Sequence, residues 1–127
     1  MIAVLDYGIG NLRSAEKALQ RAGGDARLVT RPEEAAAADG VVLPGVGAFG
    51  RCMEALRDSG LDRAALAVVE AGTPFLAVCI GMQLLYEGSE ESPGVRGLGI
   101  LPGEGRALAP GVKRPQMQWN RLQATRP

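Results

Sequence analysis

Four short apolar segments, each followed by a glycine turn or a helical pattern, constrain the fold of this chain more than any other feature. They span residues 2–5, 26–30, 41–43 and 75–78. Such continuous apolar runs are typical of strands buried on both faces of a parallel sheet. Because the strands alternate with helical segments, the sequence predicts an α/β fold with right-handed crossovers and helices on both faces of the sheet. Functional residues should then lie at the carboxyl ends of the strands.

Capping and turn signals indicate where the helices begin and end. Asn11 can act as the N-cap of a first helix, which Gly23 and Gly24 end. Pro32 opens a short second helix with acidic residues in its first turn. Two further helices should be separated near Gly60.

The character of the sequence changes from Leu98 onward. Three strand-like runs, at residues 98–101, 106–108 and 117–122, follow one another with proline and glycine between them and no helical pattern. We expect them to form an antiparallel extension. Because the chain stops just after the last run, we expect residues 1–127 to form a single domain that is incomplete at its C-terminus.

Composition and charge exclude several classes of protein. Lys and Arg total 14, as do Asp and Glu, and neither sign forms a long block, so nothing favours nucleic acid or an anionic membrane as a partner. The apolar run at the N-terminus is too short for a signal peptide, and no segment approaches the ~20 apolar residues of a membrane span. We therefore expect a cytoplasmic protein in which Cys52 and Cys79 are free thiols.

Cys79 has the sequence setting of a nucleophile. It ends the last apolar strand and is followed by a helical pattern over residues 80–86. A sharp strand-to-helix turn would expose the thiol above the sheet, stabilise a thiolate at the helix N-terminus and direct backbone amides at a developing oxyanion. Gly81 leaves room for such a turn. The alternative is that Cys79 is a small buried apolar residue at the end of a strand.

A glycine-rich segment at residues 44–50, PGVGAFG, follows the preceding strand and should lie at the same sheet edge. Its glycines let the backbone approach a ligand closely or let a peptide rotate. A tight turn and a phosphate cradle are the alternatives, although no Gly-Lys-Ser/Thr is present. The turn at Gly8 and Gly10 also lacks the third glycine of a dinucleotide site, since Arg13 stands there. We expect no cofactor and no metal.

Five segments in the same order resemble the class I glutamine amidotransferases. They are DYGIGN at 6–11, PGVGAFG at 44–50, CIGMQLL at 79–85, EESPGVRGLG at 90–99 and Trp119 with Asn120. The first and the last two narrow the resemblance to the glutaminase subunits of imidazole glycerol phosphate synthase, which act in histidine biosynthesis. The resemblance covers essentially the whole chain and implies a flavodoxin-like fold.

The resemblance implies a covalent mechanism, in which the Cys79 thiolate attacks the side-chain amide of glutamine. Ammonia leaves, and water then releases glutamate from the thioester. The oxyanion donors would be the amide of Ile80 and one amide of the segment formed by Gly45, Val46 and Gly47, with Val46 favoured after a peptide flip.

Two residues match substrate-binding positions of the family. Gln83 would help to hold glutamine, and Glu91 is a candidate for its α-amino group. For Gln83 the alternative is an exposed polar residue of a helix, and for Glu91 a role without a ligand is equally open.

In the family, ammonia passes through a channel to a (β/α)₈-barrel cyclase subunit, which makes imidazole glycerol phosphate and an aminoimidazole carboxamide ribotide. The resemblance therefore implies a heterodimer, and Asn11, Arg13 and Trp119 match its interface positions. Trp119 could instead be a core residue. The family's glutaminase is nearly idle until the partner binds, which makes the oxyanion loop a candidate switch.

The chain departs from the family in its residues for proton transfer. It contains no histidine, whereas the family takes its general base from a His-x-Glu pair in the last third of the chain. We therefore expect this chain alone to be inactive. Gln116 and Gln118 replace a histidine and a glycine before the tryptophan, which changes the expected interface. Ala77 replaces a glycine before the nucleophile and slightly crowds the turn.

Two other hypotheses follow from these departures. One is a non-catalytic binding domain that keeps the amidotransferase fold. The other is a different cysteine hydrolase or a stress protein of related architecture. The glutamate expected before the nucleophile in that last class is absent from residues 74–78.

Overall fold

A four-stranded parallel sheet forms the centre of the fold in the computed structural model, which describes residues 1–126. Its strands are β1 (Ile2–Leu5), β2 (Ala26–Val29), β3 (Gly40–Leu43) and β4 (Phe75–Ala77). Their order is β2-β1-β3-β4, and every neighbouring pair is parallel. The α/β fold and the four strands predicted from the apolar segments are therefore confirmed.

Five helices connect or follow these strands. They are α1 (Leu12–Arg21), α2 (Pro32–Ala36), α3 (Phe49–Asp58), α4 (Leu61–Glu70) and α5 (Ile80–Gln83). Asn11 precedes α1 as predicted, although its side chain makes no capping hydrogen bond within the described residues. Gly60, with φ +74°, separates α3 from α4, and this left-handed conformation is one that glycine adopts at little cost.

Alternate residues of the strands face two separate apolar clusters. Leu5 packs in the larger cluster with residues of α3 and α4, whereas Val4 faces a smaller cluster that Leu19 of α1 helps to cover. Helices therefore lie on both faces of the sheet, as predicted. Coverage of the second face stops before β4, where Leu76, opposite Val42, remains 54% exposed.

The predicted antiparallel extension is wrong. Between α5 and residue 126 the structure forms only β5 (Gly88–Ser89) and β6 (Glu104–Gly105), which pair in parallel. Residues 98–101 make no strand because their amides bond elsewhere: Leu98 N donates to Leu84 O and Leu101 N to Leu85 O.

The last predicted strand, residues 117–122, is also wrong. This segment lies exposed without helix or strand. Its apolar side chains, including Leu122 at 97% exposure, therefore contribute nothing to the core. In the part of the chain that the structure describes, no helix is long and apolar enough to cross a membrane.

Candidate functional site

Cys79 lies at the end of β4 in a backbone conformation that is unusual for its residue type. Its φ is +57° and its ψ −124°, and no other non-glycine residue between 1 and 126 has a positive φ. Such a conformation costs about 1–3 kcal/mol and persists only where the surroundings enforce it. The thiol is exposed and free, so the alternative of a buried apolar cysteine is wrong.

Gly81 makes this sharp turn possible. A Cβ atom built on Gly81 would lie 2.1 Å from the carbonyl oxygen of Leu43, which belongs to the neighbouring strand β3. Backbone there cannot yield easily, because Val78 N already donates to the same oxygen at 3.0 Å. Only glycine therefore allows the chain to turn so closely over β3. Ala77 is accommodated within β4, opposite Leu43.

Gly81→Ala should consequently distort the turn that carries Cys79. We expect the free energy of unfolding to fall by an amount at the upper end of about 1–3 kcal/mol, as for overpacked interiors. Urea unfolding measures this change. Gly40→Ala is a matched control, because a Cβ at Gly40 meets its nearest atom, Pro74 O, at an ordinary 3.6 Å. Equal losses in both variants would contradict the close-approach argument.

The helix after Cys79 is shorter than predicted. It ends at Gln83, after a single turn, rather than continuing to Tyr86. The carbonyls of Leu84 and Leu85 accept hydrogen bonds from residues 98 and 101 and so do not continue the helical ladder. A helix of one turn has little dipole, so the backbone amides themselves are what this turn offers to an anion.

The glycine-rich loop meets the turn of Cys79 directly. Ile80 N donates a hydrogen bond to the carbonyl oxygen of Gly45 at 3.3 Å. Because a trans peptide is planar, with its N–H opposite its C=O, the Val46 N–H points away from Ile80. Gly47 has φ +86° and no neighbour within 4 Å of a built Cβ. The loop thus places a carbonyl, not an amide, beside the Ile80 N–H.

Glu91 and the following serine hold the far end of this loop. Phe49 N donates to Glu91 Oε2 at 3.2 Å, and Gly50 N donates to Ser92 Oγ at 3.0 Å. These two amides belong to the first turn of α3, where backbone donors have no partner within the helix. Glu91 therefore has an observed structural contact as a helix cap contributed from a distant segment, and the sequence pattern did not reveal the role of Ser92.

Gln83 and Glu91 line one cavity of about 720 Å³, together with Met82, Tyr86 and Arg106. The structure thus brings the two predicted substrate-binding residues together. Cys79 does not line this cavity. It borders a smaller one, of about 330 Å³, with Asn11, Val78 and residues 44–46 of the glycine-rich loop.

The three predicted interface residues have different surroundings. Asn11 lines the smaller cavity, as Cys79 does. Arg13 Nη1 donates to Glu16 Oε2 at 2.9 Å, and Glu16 Oε1 also accepts from Leu28 N of the edge strand β2. Trp119 is fully exposed, at 103%, so it is not a core residue of the part of the chain that the structure describes.

Comparisons with known proteins agree with this geometry. Residues 7–114 match the profile of the family described as the CobB/CobQ-like glutamine amidotransferase domain. The chain is 52% identical over 94% of its length to the imidazole glycerol phosphate synthase subunit HisH of Thermus thermophilus. It is 48% identical over 99% of its length to the subunit of the same name from Bacillus cereus.

The chain spans about 60% of the length of each of these relatives. A solved structure described as a glutamine amidotransferase superposes with a TM-score of 0.67 at 26% identity. That superposition covers 79% of this chain and 52% of the solved one. The match over most of the chain, in sequence and in fold, shows that this protein belongs to the glutamine amidotransferase family.

Proposed function

We propose that this chain carries the nucleophile and the oxyanion loop of the glutaminase subunit of imidazole glycerol phosphate synthase. The observation that carries the proposal is the exposed thiol of Cys79 on a strained turn, with the amide of Ile80 next in the chain. The similarity to HisH subunits supports the assignment to histidine biosynthesis.

In the proposed reaction, the Cys79 thiolate adds to the side-chain carbonyl carbon of glutamine and forms a C–S bond. The C–N bond then breaks, and the nitrogen takes a proton and leaves as ammonia. Water attacks the resulting thioester, which releases glutamate and restores the thiol. Proton transfer to the leaving nitrogen needs an acid–base group, and the chain contains no histidine. We therefore propose that a His-x-Glu pair outside these 127 residues supplies it and that this chain alone does not hydrolyse glutamine.

The oxyanion of the tetrahedral intermediate would be held by the amides of Ile80 and Val46. In this structure the Ile80 N–H instead donates a hydrogen bond to the Gly45 carbonyl oxygen. Rotating the peptide between Gly45 and Val46 by half a turn would withdraw that carbonyl and present the Val46 N–H in its place. Two amide donors directed at the oxyanion are the usual arrangement for acyl transfer.

Glutamine would bind through Gln83 and Glu91, which share the larger cavity. A carboxylate suits the α-ammonium group, and Arg106 on the same cavity wall suits the α-carboxylate. Because the cap on α3 engages Oε2 of Glu91, binding of substrate and order in the loop would be linked.

The proposed partner is a (β/α)₈-barrel cyclase subunit that receives the ammonia. Support comes from the smaller cavity, which Cys79 and Asn11 both line and whose walls are almost entirely apolar. Apolar walls carry neutral ammonia without binding it tightly. Asn11, Arg13 and the exposed Trp119 would contact the barrel, and a bare tryptophan is a common anchor of protein interfaces.

A non-catalytic binding domain is the second candidate, and the absence of histidine favours it. The two are separated by a substrate whose leaving group needs no proton, the γ-p-nitrophenyl ester of glutamate. Attack by Cys79 forms the C–S bond, breaks the C–O bond and expels p-nitrophenolate. We expect a burst of p-nitrophenolate, a mass increase on Cys79 and competition by glutamine. The chain would be a binding domain if it showed no burst, or if glutamine did not slow the burst.

Glutamine itself is the complementary substrate in this test. We expect no glutamate from the chain alone, because the amide leaving group requires protonation. Glutamate release by the purified chain would show that the base is not needed from outside. Adding the barrel subunit should accelerate the ester burst if the loop is a switch.

A further inference from the structure

Two buried side chains form hydrogen bonds with the oxyanion loop, one on either side of the peptide that joins Gly45 to Val46. The Tyr7 hydroxyl donates a hydrogen bond to the carbonyl oxygen of Pro44. The Cys52 thiol donates to the carbonyl oxygen of Val46 at 3.1 Å. Tyr7 is 6% exposed and Cys52 is fully buried, so neither carbonyl can exchange its partner for water easily.

These contacts divide the loop into fixed and free peptides. The peptide that follows Pro44 and the peptide that follows Val46 each have an anchored carbonyl. Between them lies the peptide that joins Gly45 to Val46, whose carbonyl accepts a hydrogen bond, among residues 1–126, only from the Ile80 amide at 3.3 Å. A peptide can rotate alone when the dihedral angles on its two sides change together and its neighbours stay in place.

Both donors retain their protons at neutral pH. Burial is the main cause that raises the pKa of Tyr7 above its usual value, with the neighbouring Cys52 adding to the effect. Burial likewise raises the pKa of the Cys52 thiol. A protonated hydroxyl and thiol donate to carbonyls, whereas their anions would repel them.

Tyr7 also restricts which residue type fits at position 45. A Cβ atom built on Gly45 would lie 2.9 Å from Tyr7 Oη and 2.7 Å from Gly81 N. Only glycine therefore fits between the tyrosine and the turn of Cys79, and glycine imposes the fewest limits on its own dihedral angles.

We propose that Tyr7 and Cys52 are positioning residues, which clamp the Pro44 and Val46 carbonyls so that the peptide between Gly45 and Val46 is the one unit of the loop that rotates. This inference rests on the proposed function. Without the clamp, the flanking peptides would also reorient, and the Val46 N–H would reach the oxyanion in fewer of the loop's conformations. Neither side chain would touch the reacting atoms, so both would affect the reaction only through the conformation of the loop.

The test compares two reactions of Cys79 in the intact chain. Acylation by the γ-p-nitrophenyl ester of glutamate develops an oxyanion, whereas alkylation by iodoacetamide takes place at a methylene carbon and does not. We expect Tyr7→Phe and Cys52→Ala each to slow acylation by roughly 5-fold or more, the scale of one lost hydrogen bond. Alkylation should stay unchanged. Cys52→Ser keeps a donor and should restore acylation.

Other results would overturn the inference. Equal slowing of both reactions would indicate a general structural role, and unchanged acylation would show that the anchors are dispensable. Failure of Cys52→Ser to recover would remove the donor argument. If Cys52→Ala does not fold, Tyr7→Phe, which loses a single oxygen atom, decides alone. No acylation of the unchanged protein would instead contradict the proposed function.

Discussion

Cys79→Ala should remove the burst of p-nitrophenolate altogether. Cys79 is the one accessible thiol among the two cysteines, since Cys52 is fully buried and donates its thiol proton to a carbonyl. Loss of a covalent nucleophile typically lowers the rate on the order of 10⁶-fold, which is below detection in a burst assay. Stopped-flow absorbance of p-nitrophenolate measures the burst, and intact-mass spectrometry measures the thioester.

The same molecule supplies the control for this prediction. Cys52 in the unchanged protein should stay unmodified until the chain is unfolded, because its side chain is inaccessible. Glutamine affinity, measured by calorimetry, should change little in Cys79→Ala, since Gln83 and Glu91, the proposed binding residues, are unchanged. A burst that survives the substitution would show that another group is the nucleophile.

Strain at Cys79 shows why the sequence could predict this part of the site. Three local signals coincide there: an apolar strand, a cysteine and a glycine two residues later. The turn needs glycine at position 81 because Leu43 O leaves no room for a Cβ. Local residue types therefore determine the conformation. The four strands were predictable for the same reason, because each depends on its own run of apolar residues.

The segment after α5 was not predictable in this way. Residues 98–101 have the composition of a strand, but the amides of Leu98 and Leu101 bond to the carbonyls of Leu84 and Leu85, which belong to a distant segment. Hydrogen-bond partners chosen by tertiary folding override local propensity. The clamp on the loop has the same character, because Tyr7 and Pro44 are 37 residues apart.

The loop needs a physical reason to keep the Gly45 carbonyl directed at the Ile80 amide. Val46 provides one, because its φ is not positive in this structure, and rotation of the preceding peptide by half a turn would carry that angle toward the left-handed region. A β-branched side chain is poorly tolerated in that region. Binding of substrate or of a partner would then have to offset the free-energy cost of the rotated loop conformation. An idle enzyme can be switched on in this way.

Substitutions at Val46 should therefore rank acylation rates in a definite order. Val46→Gly removes the penalty for positive φ, which is about 1–2 kcal/mol, and should raise the rate without a partner by about 5–30-fold. Val46→Pro removes the amide donor and fixes a negative φ, so the rate should fall by roughly 10²–10³-fold. Val46→Ala keeps the N–H and should lie between the two.

Iodoacetamide again provides the control, because its reaction with Cys79 develops no oxyanion and should be equally fast in all four proteins. The order Gly, Ala, Pro distinguishes the donor from simple loop mobility, since both glycine and alanine retain the N–H that proline lacks. Acylation of Val46→Pro at the rate of the unchanged protein would show that Val46 is not an oxyanion donor. A glycine variant no faster than the unchanged protein would show that something other than the dihedral cost holds the loop in its resting state.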